Sequence, residues 1–131
     1  MDVLILDTIG ELARFYSLGS FAFVGGSLVP LGGHNPLEAV QRGLPVVFGP
    51  HMENFRDITS ILTKSGGGFQ VADENRLFEQ LRAWLAEPAA AREQGQKAER
   101  ALQLHQGAVG RNLEVIRSLL ETRQKELGTM Q

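Results

Sequence analysis

Along the first 72 residues, short apolar runs alternate with glycine-rich or polar breaks, and most breaks lead into a stretch with helical spacing. Val3 to Leu6 is apolar and ends at Asp7, and Thr8 stands three residues before Glu11, the spacing of a capping box. This predicts a strand, a turn and a helix running to about Tyr16. Phe21 to Val24 predicts a second strand, stopped by Gly25-Gly26, and the glycines and Pro30 before Asn35 predict a loop. Asn35-Pro36-Leu37-Glu38 then supplies an N-cap, a proline at the first helical position and an acid at the third. Gly43 closes that short helix, and Pro45 to Phe48 predicts a third strand ended by Gly49-Pro50. Asn54 and Asp57 open a further helix with Phe55, Ile58 and Leu62 on one face. Gly66-Gly67-Gly68 breaks it before a fourth strand near Phe69 to Val71.

After Asp73 the spacing is helical. Leu77, Phe78, Leu81, Trp84 and Leu85 make one apolar stripe ended by Pro88, with Trp84 expected in the core. A helix rich in Ala, Gln and Glu is expected over Ala89 to Leu104. A last one, from about Val109, aligns Val109, Leu113, Ile116, Leu120 and Leu127 in a single seam. These tail helices are expected to serve packing. Strands alternating with helices across short glycine turns predict an α/β, Rossmann-like parallel sheet with helices on both faces. Ligands bind such sheets beyond the carboxyl ends of the strands. Three clusters meet there: Asp7 to Glu11, Gly25 to Glu38 and Gly49 to Asn54. Only four strands are visible and the chain opens directly on one, which predicts a domain truncated at its start.

Composition narrows this picture. With 131 residues, 43% hydrophobic and 21% charged, the chain has the bulk of one soluble domain. Eleven of its 15 glycines precede residue 72, whereas 18 of its 28 charged residues follow it. The expected organisation is therefore one partial domain over 1–131, a βα core with ligand loops in 1–72 and tail helices in 73–131. The 13 Lys and Arg against 15 Asp and Glu give a net charge of -2, too even for a non-specific nucleic-acid binder. There is no Cys, so thiol chemistry and thiolate metal sites are excluded. The apolar runs are far shorter than the roughly 20 residues of a membrane span, so this piece is expected to be soluble.

The loops carry the chemistry. Glycines at 25, 26, 32 and 33 let a backbone approach a ligand, and the helix start at Pro36 offers N–H donors to a phosphate. Glu38, one turn in, can accept hydrogen bonds from the vicinal hydroxyls of a ribose, and Asn35 can reach the phosphate. A second reading stays open, because Asn35 and Glu38 also satisfy their own helix start. Thr8 to Glu11 has the same ambiguity: Gly10 leaves room for a ligand and Ile9 for a base, yet Thr8 and Glu11 are an ordinary cap. Gly33, His34, His51 and Asn54 are candidates for a sugar or phosphate loop. No His spacing supports a metal site, so no metal is expected. His105 reads as a surface or packing residue. Nucleophile-elbow, dinucleotide and P-loop motifs are missing.

Four segments together resemble one family: Leu4 to Leu12, Ala22 to Val29, Gly32-Gly33-His34-Asn35-Pro36-Leu37-Glu38, and Phe48-Gly49-Pro50-His51 with Asn54-Phe55. In order and spacing through about residue 72 they are similar to the carboxyl-terminal part of 3-deoxy-D-manno-octulosonic acid (Kdo) transferases. The resemblance implies the second domain of a GT-B glycosyltransferase, two Rossmann-like domains facing a cleft. It implies transfer of Kdo from CMP-Kdo to the lipid A precursor, at the cytoplasmic face of the inner membrane of Gram-negative bacteria, without a cofactor. It carries CMP contacts onto Ile9, Gly10 and Glu11 and onto Asn35, Pro36, Leu37 and Glu38. The family's catalytic carboxylate, acceptor site and membrane anchor belong to the other domain, and a Pro-Arg pair contacting CMP lies upstream. No catalytic residue is therefore expected within these 131 residues, and the fragment alone is expected to be inactive. Two alternatives remain at this point: a GT-B nucleotide-sugar enzyme of other specificity, transferase or epimerase, and a non-catalytic module docking through the Val109 to Leu127 seam.

Overall fold

The computed structural model describes Val3, Ile5 and residues 12–129. The predicted first strand lies largely outside the described residues, as does the Thr8 to Glu11 capping box; Val3 and Ile5 are exposed and belong to no strand. The described elements run α1 (Leu12–Tyr16), β1 (Ala22–Val24), α2 (Leu37–Gln41), β2 (Val46–Phe48), a 3₁₀ turn (Glu53–Phe55), α3 (Arg56–Ser65), β3 (Gly68–Gln70), α4 (Glu74–Ala86) and α5 (Pro88–Thr129).

The three strands form a parallel sheet in the order β1-β2-β3, with Val24 opposite Phe48 and Phe48 opposite Gln70. β2 is central and buried on both faces, which accounts for its uninterrupted apolar sequence. On one face Ala22, Val24, Val46 and Phe48 pack with Val40 of α2, Leu62 of α3 and Ala98 and Leu102 of α5. On the other, Val47 packs with Trp84 of α4 and Ala91 of α5, and Phe21 and Phe69 close around the indole. Helices thus cover both faces, as expected. The Trp84 indole N–H donates to Gln94 Oε1 at 2.6 Å, which satisfies the one polar atom the ring brings into the core.

The glycine stops act as expected: Gly43 follows α2 and Gly66 follows α3, both with positive φ, the left-handed conformation that ends helices. Asp73 caps α4, its carboxylate accepting from the Arg76 N–H at 2.9 Å.

Two expectations about the tail are corrected. Leu77, Leu81 and Trp84 face the core, but Phe78 and Leu85 are exposed, because α4 lies over the sheet along a narrower line than its apolar stripe. The helices expected over Ala89 to Leu104 and from Val109 are one continuous helix of 42 residues. Gly107 and Gly110 lower helix propensity by only about 1 kcal/mol each, and no proline interrupts the run. The second half of α5 does not pack: Val109, Leu113, Ile116, Leu120 and Leu127 are each at least 45% exposed. No described helix is long and apolar enough to cross a membrane.

Candidate functional site

The chain leaves β1 at Val24 and turns through Gly25 and Gly26 to begin a long loop that returns at α2. It leaves β2 at Phe48 and turns through Gly49 and Pro50 toward the 3₁₀ turn. These two loops are bound into one unit. His51 N–H donates to Ser27 O at 2.9 Å, Gly33 N–H to Gly26 O at 2.9 Å, and Asn54 N–H to Gly32 O at 3.2 Å. Beneath them the Ser27 hydroxyl, fully buried, donates to Val24 O and accepts from Gly49 N–H at 2.9 Å.

The glycines explain how the loops can lie so close. A Cβ on Gly33 would overlap Met52 Sδ, one on Gly32 would overlap the Asn54 amide, and both residues have φ near +80°. The sequence reading took these glycines as room for a ligand. Here they make room for the neighbouring loop.

An open cleft of about 360 Å³ lies at the carboxyl end of β1, between α1 and the start of α2. Its lining includes Leu12, Tyr16, Gly25, His34, Asn35 and Pro36. Asn35 Oδ1 accepts from the Leu37 N–H at 3.0 Å, the bond expected of an N-cap, although α2 itself begins at Leu37. That leaves the Asn35 amide nitrogen as its outward donor. Pro36 is fully buried, and Leu37 packs against the core, so neither side chain is offered to the cleft floor as a polar contact. Glu38 is exposed.

The expected residues are therefore divided. His34 and Asn35 come together at the cleft mouth with the helix start that carries Glu38. Ile9, Gly10 and Glu11 lie outside the described residues, but Leu12, which follows them, lines the same cleft. His51 and Asn54 do not line it. His51 Nδ1 meets Glu53 Oε1 at 3.1 Å, and Asn54 covers Gly32. The Glu53 carboxyl is held below its ordinary pKa by its own backbone N–H and then by His51. Among the described residues no group of three His, Cys, Asp or Glu could hold a metal.

Tyr16 was not singled out from the sequence. It sits one helical turn after Leu12, so the helix predicted there already placed the two on one face. Burial raises its phenol pKa above 10.0, and the Glu38 carboxylate raises it further. The neutral phenol is the form the fold favours, so its contribution to stability is complete below about pH 10 and is lost as pH rises through the folded pKa. Glu38→Gln should lower this pKa but leave it above the ordinary value, because burial remains. Tyr16 is the sole tyrosine, so absorbance at 295 nm during an alkaline titration reads it directly. An unchanged titration would mean that Glu38 does not face the cleft.

Comparison with known proteins shows what the chain resembles. The chain is 35% identical over 120 residues to the 3-deoxy-D-manno-octulosonic acid transferase of Bordetella pertussis, covering 92% of this chain and 28% of that protein. It is 36% identical over 121 residues to the enzyme of the same name from Haemophilus influenzae, with the same coverage. The chain is a homologue of the Kdo transferases. Among solved structures, the C-terminal CMP-Kdo binding domain of WaaA from Acinetobacter baumannii matches with a TM-score of 0.70 and 36% identity. That match covers 75% of this chain and 51% of the WaaA domain. The Rossmann-like α/β fold expected from the sequence is thus the fold this chain shares with that domain. The chain spans a little over a quarter of the length of these curated Kdo transferases. No family model matches it.

Proposed function

We propose that this chain is the CMP-Kdo-binding part of a GT-B glycosyltransferase that transfers Kdo to the lipid A precursor. The observation that carries the reading is the likeness to the C-terminal CMP-Kdo binding domain of WaaA, at 36% identity and a TM-score of 0.70. The cleft supports it by its chemistry. Pro36 has no N–H and the Leu37 N–H is taken by Asn35, so the phosphate is received by the Glu38 and Ala39 N–H groups and by the Asn35 amide nitrogen. α2 has only five residues, so these direct donors matter more than its dipole. The Glu38 carboxylate accepts from the ribose hydroxyls. Ile9, Gly10 and Glu11 lie along the cytidine and phosphate, and Gly33 and His34 border the sugar. His51 and Asn54 act one step back, by holding the loop.

In the whole enzyme a carboxylate from another domain deprotonates the acceptor hydroxyl as CMP leaves, with inversion at the sugar. Backbone donors stabilise the leaving phosphate without a metal. Residues 1–131 form one partial donor domain, with acceptor and membrane contacts, at the cytoplasmic face of the inner membrane, made by the other domain. The fragment alone transfers nothing.

A two-dimensional NMR titration of the labelled chain with CMP tests this, with UMP and AMP as controls. CMP should shift the amides of Ile9 to Glu11 and of Asn35, Leu37 and Glu38, and Glu38→Ala should abolish the response. Equal shifts with UMP would move the assignment to another nucleotide-sugar enzyme. A folded chain whose loops ignore all three nucleotides, at full domain length as well, would overturn it.

A further inference from the structure

We infer that Ser27 is a positioning residue for the nucleotide cleft, an assignment that rests on the donor-binding reading above. Ser27 touches no part of the cleft, and its side chain is completely buried. Its hydroxyl nevertheless joins the ends of two strands at the edge where the ligand binds. It donates to Val24 O, the last carbonyl of β1, and accepts from the N–H of Gly49, the first residue after β2. Its carbonyl accepts from His51 N–H. One residue thus takes part in three hydrogen bonds, two of which hold the β1 loop against the β2 loop.

The packing leaves this junction no slack. A Cβ on Gly49 would overlap the Ser27 carbonyl, so the two backbones are in direct contact at this point. Beyond it, the Gly33 N–H to Gly26 O and Asn54 N–H to Gly32 O bonds extend the same unit toward Asn35. The cleft residues His34 and Asn35 are carried on the outer end of a loop whose root is Ser27. Their place relative to the β2 loop is therefore set before any ligand arrives.

Removing the hydroxyl leaves a buried Gly49 N–H without an acceptor, a state proteins avoid by admitting water or moving backbone. Either adjustment separates the loops. The ligand must then draw its site from a population in which the loop is only partly in place, and apparent affinity falls by that fraction. Nothing in the residue pattern points to this, because a serine after two glycines reads as loop.

The test compares the whole 131-residue chain with Ser27→Ala, Ser27→Cys and Val47→Ala. Val47 is buried on the opposite face of the sheet, in the Trp84 cluster against which Leu28 of the β1 loop also packs, so its truncation lowers stability while removing none of the hydrogen bonds that join the loops. For each variant, CMP affinity is measured by NMR titration and amide exchange is followed at Gly33, His51 and Asn54. Ser27→Ala should weaken CMP binding at least tenfold, about 1.4 kcal/mol, with those three amides exchanging faster together. Ser27→Cys fills the same space with a weak acceptor and should lose affinity to a smaller degree. Val47→Ala should bind CMP as the parent does. If Ser27→Ala and Ser27→Cys bind CMP like Val47→Ala, the positioning role is overturned. If the 131-residue parent ignores CMP, the same variants are compared at full domain length; if that parent ignores CMP too, the donor-binding reading falls, and this role falls with it.

Discussion

Gly95→Val should cost the domain at least about 2 kcal/mol, and Gly95→Ala about 1–2 kcal/mol, even though both residues have better helix propensity or packing than glycine in isolation. Gly95 lies inside α5 on a line with Ala91, Ala98 and Leu102, spaced four, three and four residues apart, and all four are buried. A Cβ at Gly95 would overlap the Gly43 carbonyl and the Pro45 nitrogen, at the turn that leads into β2. Across the same interface a Cβ at Gly67 would overlap Gln94 O and the Ala98 backbone. Two glycines, one on each partner, therefore let the helix axis lie directly on the turns at the amino end of the sheet. The obstacle to an added methyl is backbone, which cannot rotate aside, so the overpacking cost of about 1–3 kcal/mol outweighs the roughly 1 kcal/mol gained by replacing a helical glycine. Urea unfolding followed through Trp84 fluorescence is the measurement. The indole is bonded to Gln94, adjacent to the substituted position, and there is no second tryptophan. A parental midpoint for Gly95→Val would mean that α5 is not seated as described.

That contact also shows where the amino-acid pattern was legible and where it was not. Apolar runs, glycine stops and the Asn35-Pro36 helix start were readable because each is local: β1 and β2 fall within the predicted runs, β3 begins one residue ahead of its own, and Asn35 makes the expected capping bond. What was not readable depends on partners distant in the chain. Gly95 was not singled out from the sequence, and only its contact with residues 43–45 explains it. The Val109 to Leu127 seam has the spacing of a buried face, yet spacing records that a helix has one apolar side and not that anything covers it. Phe78 and Leu85 were lost from the expected core for the same reason.

The candidate site was legible in part for a parallel reason. Helix-start chemistry picked out Asn35 and Glu38, and the cleft does lie at that start. His51 and Asn54 were grouped with it because their loop leaves the neighbouring strand, but their side chains are engaged with Glu53 and Gly32. Loop glycines allow close approach without saying by what. A ligand and a second loop leave the same mark in the sequence.

This distinction makes Gly33 the position where binding and stability should part most clearly. Gly33→Ala should weaken CMP binding at least a hundredfold, about 2.7 kcal/mol or more, while the chain stays folded. An alanine there suffers twice. Its φ of +80° lies in the left-handed region, which costs an L-residue about 1–2 kcal/mol, and its methyl would overlap Met52 Sδ and crowd the His51 carbonyl at 3.1 Å. The loop relieves both by moving away from the β2 loop, and the residues next in the chain are His34 and Asn35 at the cleft mouth. Gly43→Ala is the matched comparison. Its φ of +76° imposes the same backbone strain, but the added methyl meets only the end of the flexible Glu99 side chain, at 3.1 Å, and the position lines no part of this cleft. Gly43→Ala should lose about 1–2 kcal/mol of stability and keep parental CMP affinity. Titrating both variants with CMP beside their urea midpoints separates the effects. Equal affinities for the two would show that the loop contact at Gly33 does not shape the site, because strain alone would then account for everything observed.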